Sequence, residues 1–269
     1  MIRGRSPVRL SMVDAAMFWD FDGTLAYRAT TWSGCLIEAI ATIDPDHGLV
    51  GADLIPGLRG GLPWHRPEHG HPHLDTADAW WDALYPLFQA AYVGAGVDER
   101  VAAQAARTFR SCYIDPTRWT VFPDAVAVLG ELTAAGWAHV IVSNHVPELE
   151  ELIAALGLSR HFTAVVNSAI VGWEKPNRRI FEAALDRAGH PQRVWMVGDN
   201  PVADIAGAGA LGIPGIHVSP RIDGLRTSVT ELHGEASGAR HRGALPRGRS
   251  AGAPVADAQR KPDRPPAFH

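Results

Sequence analysis

Apolar positions near the start of the chain form one short run, Met17–Phe21, interrupted by Asp20 and followed by the turn signal Asp22-Gly23-Thr24. This predicts a buried strand that ends in a tight loop. From Val121 the pattern becomes regular. Pro123 and Asp124 open a helix in which Val126, Leu129 and Leu132 recur at helical spacing, and Gly136 ends it. The alternation continues with a strand at Ala138–Val142, a helix at Pro147–Leu156 stopped by Gly157, and a strand at Phe162–Val166. It closes with a helix at Arg178–Ala188, a strand at Val194–Val197, a small-residue helix at Val202–Ala210 and a strand at Ile213–Val218. Strands alternating with helices of this kind predict a parallel sheet covered on both faces, a Rossmann-like three-layer α/β/α core.

The stretch from Leu25 to Arg118 breaks the alternation. Helical patterns lie near Trp32–Ile43, Thr76–Tyr92 and Val97–Tyr113, and a loop rich in Gly, Pro and His spans Pro56–Pro72. It reads as a mainly α-helical insertion after the first strand, placed to act as a lid. After Arg221 periodicity disappears. Residues 231–269 carry seven Arg or Lys against four Asp or Glu and few bulky apolar residues. Such a segment buries too little surface to offset its chain entropy, which predicts a disordered tail. The expected division is therefore an N-terminal extension at 1–16, a core at 17–24 and 119–222, a cap at 25–118 and a tail at 223–269. Met12 and Met17 are further candidate starts.

Composition narrows the classes. With 46% hydrophobic and 20% charged residues, the 269-residue chain can bury a full core. A formal charge of −4 argues against a nucleic-acid partner, which would favour a basic surface. No apolar run approaches the roughly 18 residues of a membrane span. Two cysteines, Cys35 and Cys112, are too few for a disulfide framework and have no metal-ligand spacing. A cytoplasmic monomer or homodimer is expected.

Four segments place polar residues at or near the ends of predicted strands. They are Asp20-Phe21-Asp22-Gly23-Thr24, Ser143-Asn144, Lys175-Pro176 and Gly198 to Asp204 with its two acids Asp199 and Asp204. In open parallel sheets the carboxyl ends of the strands share one crevice, so these residues can converge. Several carboxylates crowded together repel one another unless a cation sits among them, and an oxygen site with room for phosphate and water suits Mg²⁺. Lys175 and Ser143 would then hold phosphate oxygens, Asn144 could add a donor, and Gly23 would permit close backbone approach. One carboxylate can attack phosphorus while another, two residues on, protonates the leaving alkoxide and later activates water. Asp20 and Asp22 are spaced for those tasks.

These residues resemble the haloacid dehalogenase superfamily of hydrolases, whose four motifs occur here in the usual order. The resemblance covers roughly Met17–Leu25 and Arg118–Val218. It implies that Asp20 is the nucleophile and that Asp22 is the general acid/base, with its backbone carbonyl on the metal. It further implies that Thr24 positions Asp22, Ser143 and Lys175 bind phosphate, and Asp199 and Asp204 serve Mg²⁺. The helical insertion matches the superfamily's C1 cap, so the chain is similar to phosphoglycolate phosphatase and its relatives. A phosphatase acting on a small-molecule phosphate monoester is implied. Ala203 departs from the Asn that many relatives carry there.

Other readings compete. A dehalogenase usually lacks the second Asp of the first motif, so Asp22 argues against that chemistry. A phosphomutase keeps both aspartates and a helical cap and stays open. A non-catalytic phosphate-binding protein would be expected to lose a carboxylate or the lysine, and none is missing. His65, His69, His71 and His73 invite a second metal site, a substrate-facing lid or an ordinary polar loop. If the loop faces the site, Trp64, His65 and Arg66 are candidate substrate contacts, with Arg28 another. Trp80 and Trp81 read as cap core.

Overall fold

The structure, a computed structural model, describes residues 14–30, 32–220 and 224–226. The proposed N-terminal extension and tail lie almost entirely outside the described residues. The core is a five-stranded parallel sheet in the order β5-β4-β1-β6-β7. Its strands are β1 (Ala15–Trp19), β4 (Ala138–Ser143), β5 (Ala164–Asn167), β6 (Arg193–Gly198) and β7 (Gly215–His217). β1 is central, flanked by β4 and β6, with Phe18 opposite Val140 on one side and Met196 on the other.

Both faces of the sheet are covered, as an all-parallel sheet requires. Alternate residues divide between two apolar clusters. Ala15, Met17, Trp19, Ile141 and Val197 pack with the helices α5 (Ala125–Ala134) and α6 (Leu149–Ala155). Ala16, Phe18, Val140, Val142 and Met196 pack with α8 (Arg178–Ala188), through Ile180, Phe181 and Ala184. This period of two along strands buried on both sides explains the near-continuous apolar runs.

Between β1 and β4 the chain leaves and returns through a short antiparallel pair, β2 (Ala26–Arg28) and β3 (Trp119–Val121), with Tyr27 opposite Thr120. Neither strand is expected from the sequence, because three residues show no usable alternation. The insertion holds α1 (Trp32–Ala41), α2 (Gly51–Leu58), α3 (Ala77–Gly94) and α4 (Glu99–Tyr113). Helix α2 begins before the predicted Pro56–Pro72 loop and runs into it. Pro56 and Gly57 read as breakers, yet Gly57 sits where a Cβ would fall 2.5 Å from Ala91 Cα, so the glycine permits close packing on α3. Trp80 and Trp81 are buried in this helical layer, matching their core reading. Trp81 Nε1 and Arg110 Nε both donate to Glu148, just ahead of α6, which ties the insertion to the core.

Several boundaries shift. The first strand starts at Ala15 and ends before Asp20, and the expected strand at Phe162 starts at Ala164 and is followed by the short helix α7 (Ser168–Val171). The expected helix at Val202–Ala210 is a π-helical turn, Pro201–Ala206, followed by α9 (Gly207–Gly209). Asn200 caps this turn, its Oδ1 accepting from the amides of Val202 and Ala203. No described helix is long and apolar enough to cross a membrane.

Candidate active site

Asp20 follows β1 directly, and its amide still donates to Val197 O at 2.9 Å, so its backbone remains in register with β6. Ser143 ends the neighbouring strand β4. Its Oγ donates to Asp20 Oδ1 at 2.9 Å. Lys175 arrives from the loop between α7 and α8, and its Nζ lies 2.7 Å from Asp20 Oδ1 and 2.5 Å from Asp204 Oδ1. Asp204 sits on the π-helical turn after β6, where the Asn200 amide donates to its Oδ2 at 3.0 Å. Four distant segments thus meet at the carboxyl end of the sheet.

Two glycines make room for the carboxylates. Gly23 has a φ of +87°, and a Cβ there would lie 2.8 Å from Asp199 Cγ. A Cβ on Gly198 would fall 2.6 Å from Asp204 Cβ. Among the described residues, Asp20, Asp199 and Asp204 form the acidic group whose ligand atoms all lie within 4.8 Å of one another. That donor set, all oxygen and cradled by glycines, fits a hard divalent cation such as Mg²⁺. The Asp22 carboxylate does not belong to the group but lines the same cavity of about 310 Å³.

The charge balance also asks for a cation. Asp20, Asp22, Asp199 and Asp204 line the cavity with Lys175 as the cation among the described lining residues. Burial pushes Asp204 up to about 7 against the pull of Lys175. Burial likewise opposes the Lys175 ammonium, but Asp20 and Asp204 outweigh it and hold its pKa above the ordinary value. Tyr113 is also pushed well up, first by burial and then by the Asp22 carboxylate, so its phenol stays protonated. His145, buried behind the site, is driven down to about 4 by burial and is neutral.

Some expected roles change. Asn144 uses both ends of its amide on the Lys175 backbone, with Lys175 N to Oδ1 at 2.6 Å and Nδ2 to Lys175 O at 3.0 Å. Its side chain therefore fixes the lysine loop, and the residue also lines the cavity. The Thr24 hydroxyl is buried and makes no hydrogen bond, so the structure gives no sign of its positioning Asp22. Arg28 donates to the carbonyls of Cys112 and Tyr113 and pairs with Glu38 at 2.9 Å, so it braces the base of the insertion instead of facing substrate.

The histidine loop divides. His71 is buried, with Nε2 3.1 Å from Glu174 Oε1, while His69 is exposed beside Glu68. His65 Nδ1 accepts the Gly60 amide at 3.0 Å, and burial lowers its pKa. The histidines form no metal group among the described residues. Trp64 and Pro67 do line the cavity; His65 and Arg66 do not. Trp32 and Tyr113 also line it and were not anticipated. Nothing local in the sequence marks the two as neighbours, since Trp32 is the first residue of α1 and Tyr113 the last of α4.

Comparison with known proteins agrees with this geometry. Residues 15–212 match the family model for haloacid dehalogenase-like hydrolases. The chain is 33% identical over 149 residues to haloacid dehalogenase-like hydrolase domain-containing protein 3 of Homo sapiens, covering 55% of this chain and 58% of that protein. It is 34% identical over 158 residues to a phosphoserine phosphatase of Thermus thermophilus, covering 58% of this chain and 61% of that protein. The matched region thus spans less than two thirds of either relative. Among solved structures, the HAD-hydrolase YfnB of Bacillus subtilis, bound to magnesium, superposes with a TM-score of 0.60 at 18% identity, over 83% of this chain and 98% of that one.

Proposed function

Because the chain belongs to the haloacid dehalogenase-like hydrolase family over residues 15–212, we infer that it is a Mg²⁺-dependent phosphatase acting on a small-molecule phosphate monoester. The observation that carries this reading is the convergence of Lys175 Nζ and Ser143 Oγ on one oxygen of Asp20, beside Asp199 and Asp204. A lone nucleophilic carboxylate has no need of such surroundings. A site that must receive a dianionic phosphoryl group does. The phosphoserine phosphatase relative and the magnesium-bound YfnB support the same reading.

Asp20, Asp199 and Asp204, with the Asp22 carbonyl, would hold the metal, which when bound offsets the negative charge shared by the carboxylates and the phosphoryl oxygens. Oδ1 of Asp20 is held by Ser143 and Lys175, which leaves Oδ2 for attack on phosphorus. As the new O–P bond forms, the bond to the leaving oxygen breaks and that oxygen takes the proton of the Asp22 carboxyl. Asp22, now ionised, removes a proton from water. The resulting hydroxide displaces Asp20 from phosphorus and releases inorganic phosphate. Lys175 remains charged throughout and neutralises phosphoryl oxygens in the crowded state. Asn144 acts through the lysine, by fixing its backbone. The helical insertion serves as the cap that covers the leaving group, through Trp32, Trp64 and Tyr113 at the cavity.

The test is phosphate release from small monoesters, with and without Mg²⁺, by the wild type and by Asp20→Asn. Turnover that requires the metal and falls by at least about 10³-fold in the variant is expected, since no covalent intermediate can form. Turnover retained by Asp20→Asn would sink the assignment.

A further inference from the structure

The cavity has two chemically different walls. One is the carboxylate-lysine floor on the ends of the core strands. The other, supplied by the insertion, is aromatic and consists of Trp32, Trp64 and Tyr113 with Pro67. Trp32 and Trp64 have ring centroids 4.8 Å apart at 55°, and Trp32 and Tyr113 are also 4.8 Å apart, at 34°. Trp32 stacks from behind on Phe109 at 5.2 Å, which seats the group in the buried core of the insertion.

This wall is fixed relative to the floor. Trp64 lies on a short helical turn, Pro63–His65, which the Gly60 amide secures through His65 Nδ1. Beyond that turn the loop is fastened to the segment that carries Lys175. The His71 amide donates to Gly172 O at 2.8 Å, Asn177 Nδ2 donates to Pro67 O at 2.9 Å, and His71 pairs with the buried Glu174. Rings held this way need little ordering when a ligand arrives.

We propose that the substrate is the phosphomonoester of an alcohol bearing a small aromatic ring, seated against Trp32, Trp64 and Tyr113 while its phosphate meets Asp20 and Lys175. The inference rests on the phosphatase reading for the phosphate half and on the aromatic wall for the other half. Three rings at one end of a cavity of about 310 Å³ suit a single flat group stacked or packed edge-on. An amino-acid or carboxylate leaving group fits poorly, because it would set its carboxylate against aromatic and apolar surface in a cavity already lined by four aspartates. No arginine lines the cavity among the described residues: Arg66, between Trp64 and Pro67, stays outside it, and Arg28 is committed to Glu38 and two backbone carbonyls. The leaving group should therefore differ from that of the relative named a phosphoserine phosphatase.

The test compares benzyl phosphate, ethyl phosphate and phosphoserine, all esters of primary alcohols, so that leaving-group reactivity weighs little. With Mg²⁺ present, kcat/KM for benzyl phosphate should exceed that for each of the others by at least about tenfold, equivalent to about 1.4 kcal/mol. Trp64→Ala should remove that preference, lowering kcat/KM for benzyl phosphate at least about fivefold more than that for ethyl phosphate. Trp64→Phe, which keeps a ring and so guards against a folding artefact, should retain most of it. Calorimetric titration with benzylphosphonate and ethylphosphonate, which cannot be hydrolysed, gives a second readout. Tighter binding of benzylphosphonate without hydrolysis of any ester would sustain the ring site and overturn the phosphatase reading. Hydrolysis in which phosphoserine or ethyl phosphate matches benzyl phosphate, or equal binding of the two phosphonates, would overturn the ring site and leave the phosphatase reading intact.

Discussion

Replacing Lys175 with Met removes the ammonium that lies 2.7 Å from Asp20 and 2.5 Å from Asp204 while keeping most of the side-chain volume. Lys175 and Asp204 are 3% and 1% exposed, so the carboxylates left behind cannot recover the loss from water. Removing one partner of a buried pair costs about 3–5 kcal/mol. The cost should depend on pH in a definite direction. Asp204 is already pushed up to about 7 by burial with Lys175 in place, and without the ammonium its carboxyl rises further. The folded variant then holds a proton that the unfolded chain, with an ordinary carboxyl near 3.8, has released. A folded state that binds more protons loses stability as pH rises, by about 1.4 kcal/mol per pH unit for one proton. In the wild type this slope ends near pH 7, and the raised Lys175 adds none between pH 7 and 9, because its stabilisation is lost only above its unfolded value of 10.5. In the variant the slope continues. Between pH 7 and 9 the gap between the two proteins should therefore widen by about 2–3 kcal/mol, or roughly 5–10 °C in Tm for a chain of this size. Thermal denaturation followed by circular dichroism in EDTA, at matched ionic strength, measures it. A gap that stays constant within about 2 °C would refute the reasoning, because the buried carboxylates would then not compete for a proton.

Other expectations follow from the same geometry. His139 is buried with Trp19 Nε1 donating to its Nδ1, and burial lowers its pKa to about 4, as it does for His145. Both are depressed below 6.5, so the unfolded chain binds protons first. Stability conferred by each is complete above pH 6.5 and lost as pH falls to about 4, by about 3 kcal/mol per site. Urea titrations of wild type and His139→Gln at pH 7 and 4.5 should show the variant losing less on acidification, and equal losses would count against it. Gly23→Ala combines a φ of +87° with overlap onto Asp199, so it should lower kcat/KM by at least about 100-fold and weaken the thermal shift given by Mg²⁺, with circular dichroism unchanged. His71→Ala strands the buried Glu174 carboxylate and should cost about 1–3 kcal/mol. It should also speed chymotryptic cleavage after Trp64, in the same loop, while unchanged cleavage would show that the pair does not fasten the loop.

The legibility of the site follows from where its parts lie. Asp20, Ser143 and Asp204 can be brought together from the sequence because each stands at a strand end or on the turn after it, and a parallel sheet sends all those ends to one edge; Lys175 joins them from the loop between α7 and α8. A motif local in sequence plus a rule of topology was enough. Side-chain commitments are set by partners remote in sequence, and there the reading went astray. Asn144 has a further task that no local pattern shows, since Lys175, thirty-one positions away, engages both its Oδ1 and its Nδ2. Arg28 looks available until Glu38 and the end of α4 close on it. The same distinction separates the elements. The long amphipathic helices α3 and α4 announced themselves by period, whereas α2 was hidden because Gly57 is explained only by the approach of Ala91 on another helix. It also explains the aromatic wall. Trp32 and Tyr113 lie at opposite ends of the insertion, eighty-one positions apart in the chain, and nothing local marks them as neighbours. The β2–β3 pair gathers both borders of the insertion at the base of the core, so its first helix and its last deliver their aromatic ends to one cavity beside Asp20. Chemistry fixed on strand ends and specificity assembled from an insertion can thus vary separately, which is why the motifs could point to a reaction while leaving the leaving group to be read from the structure.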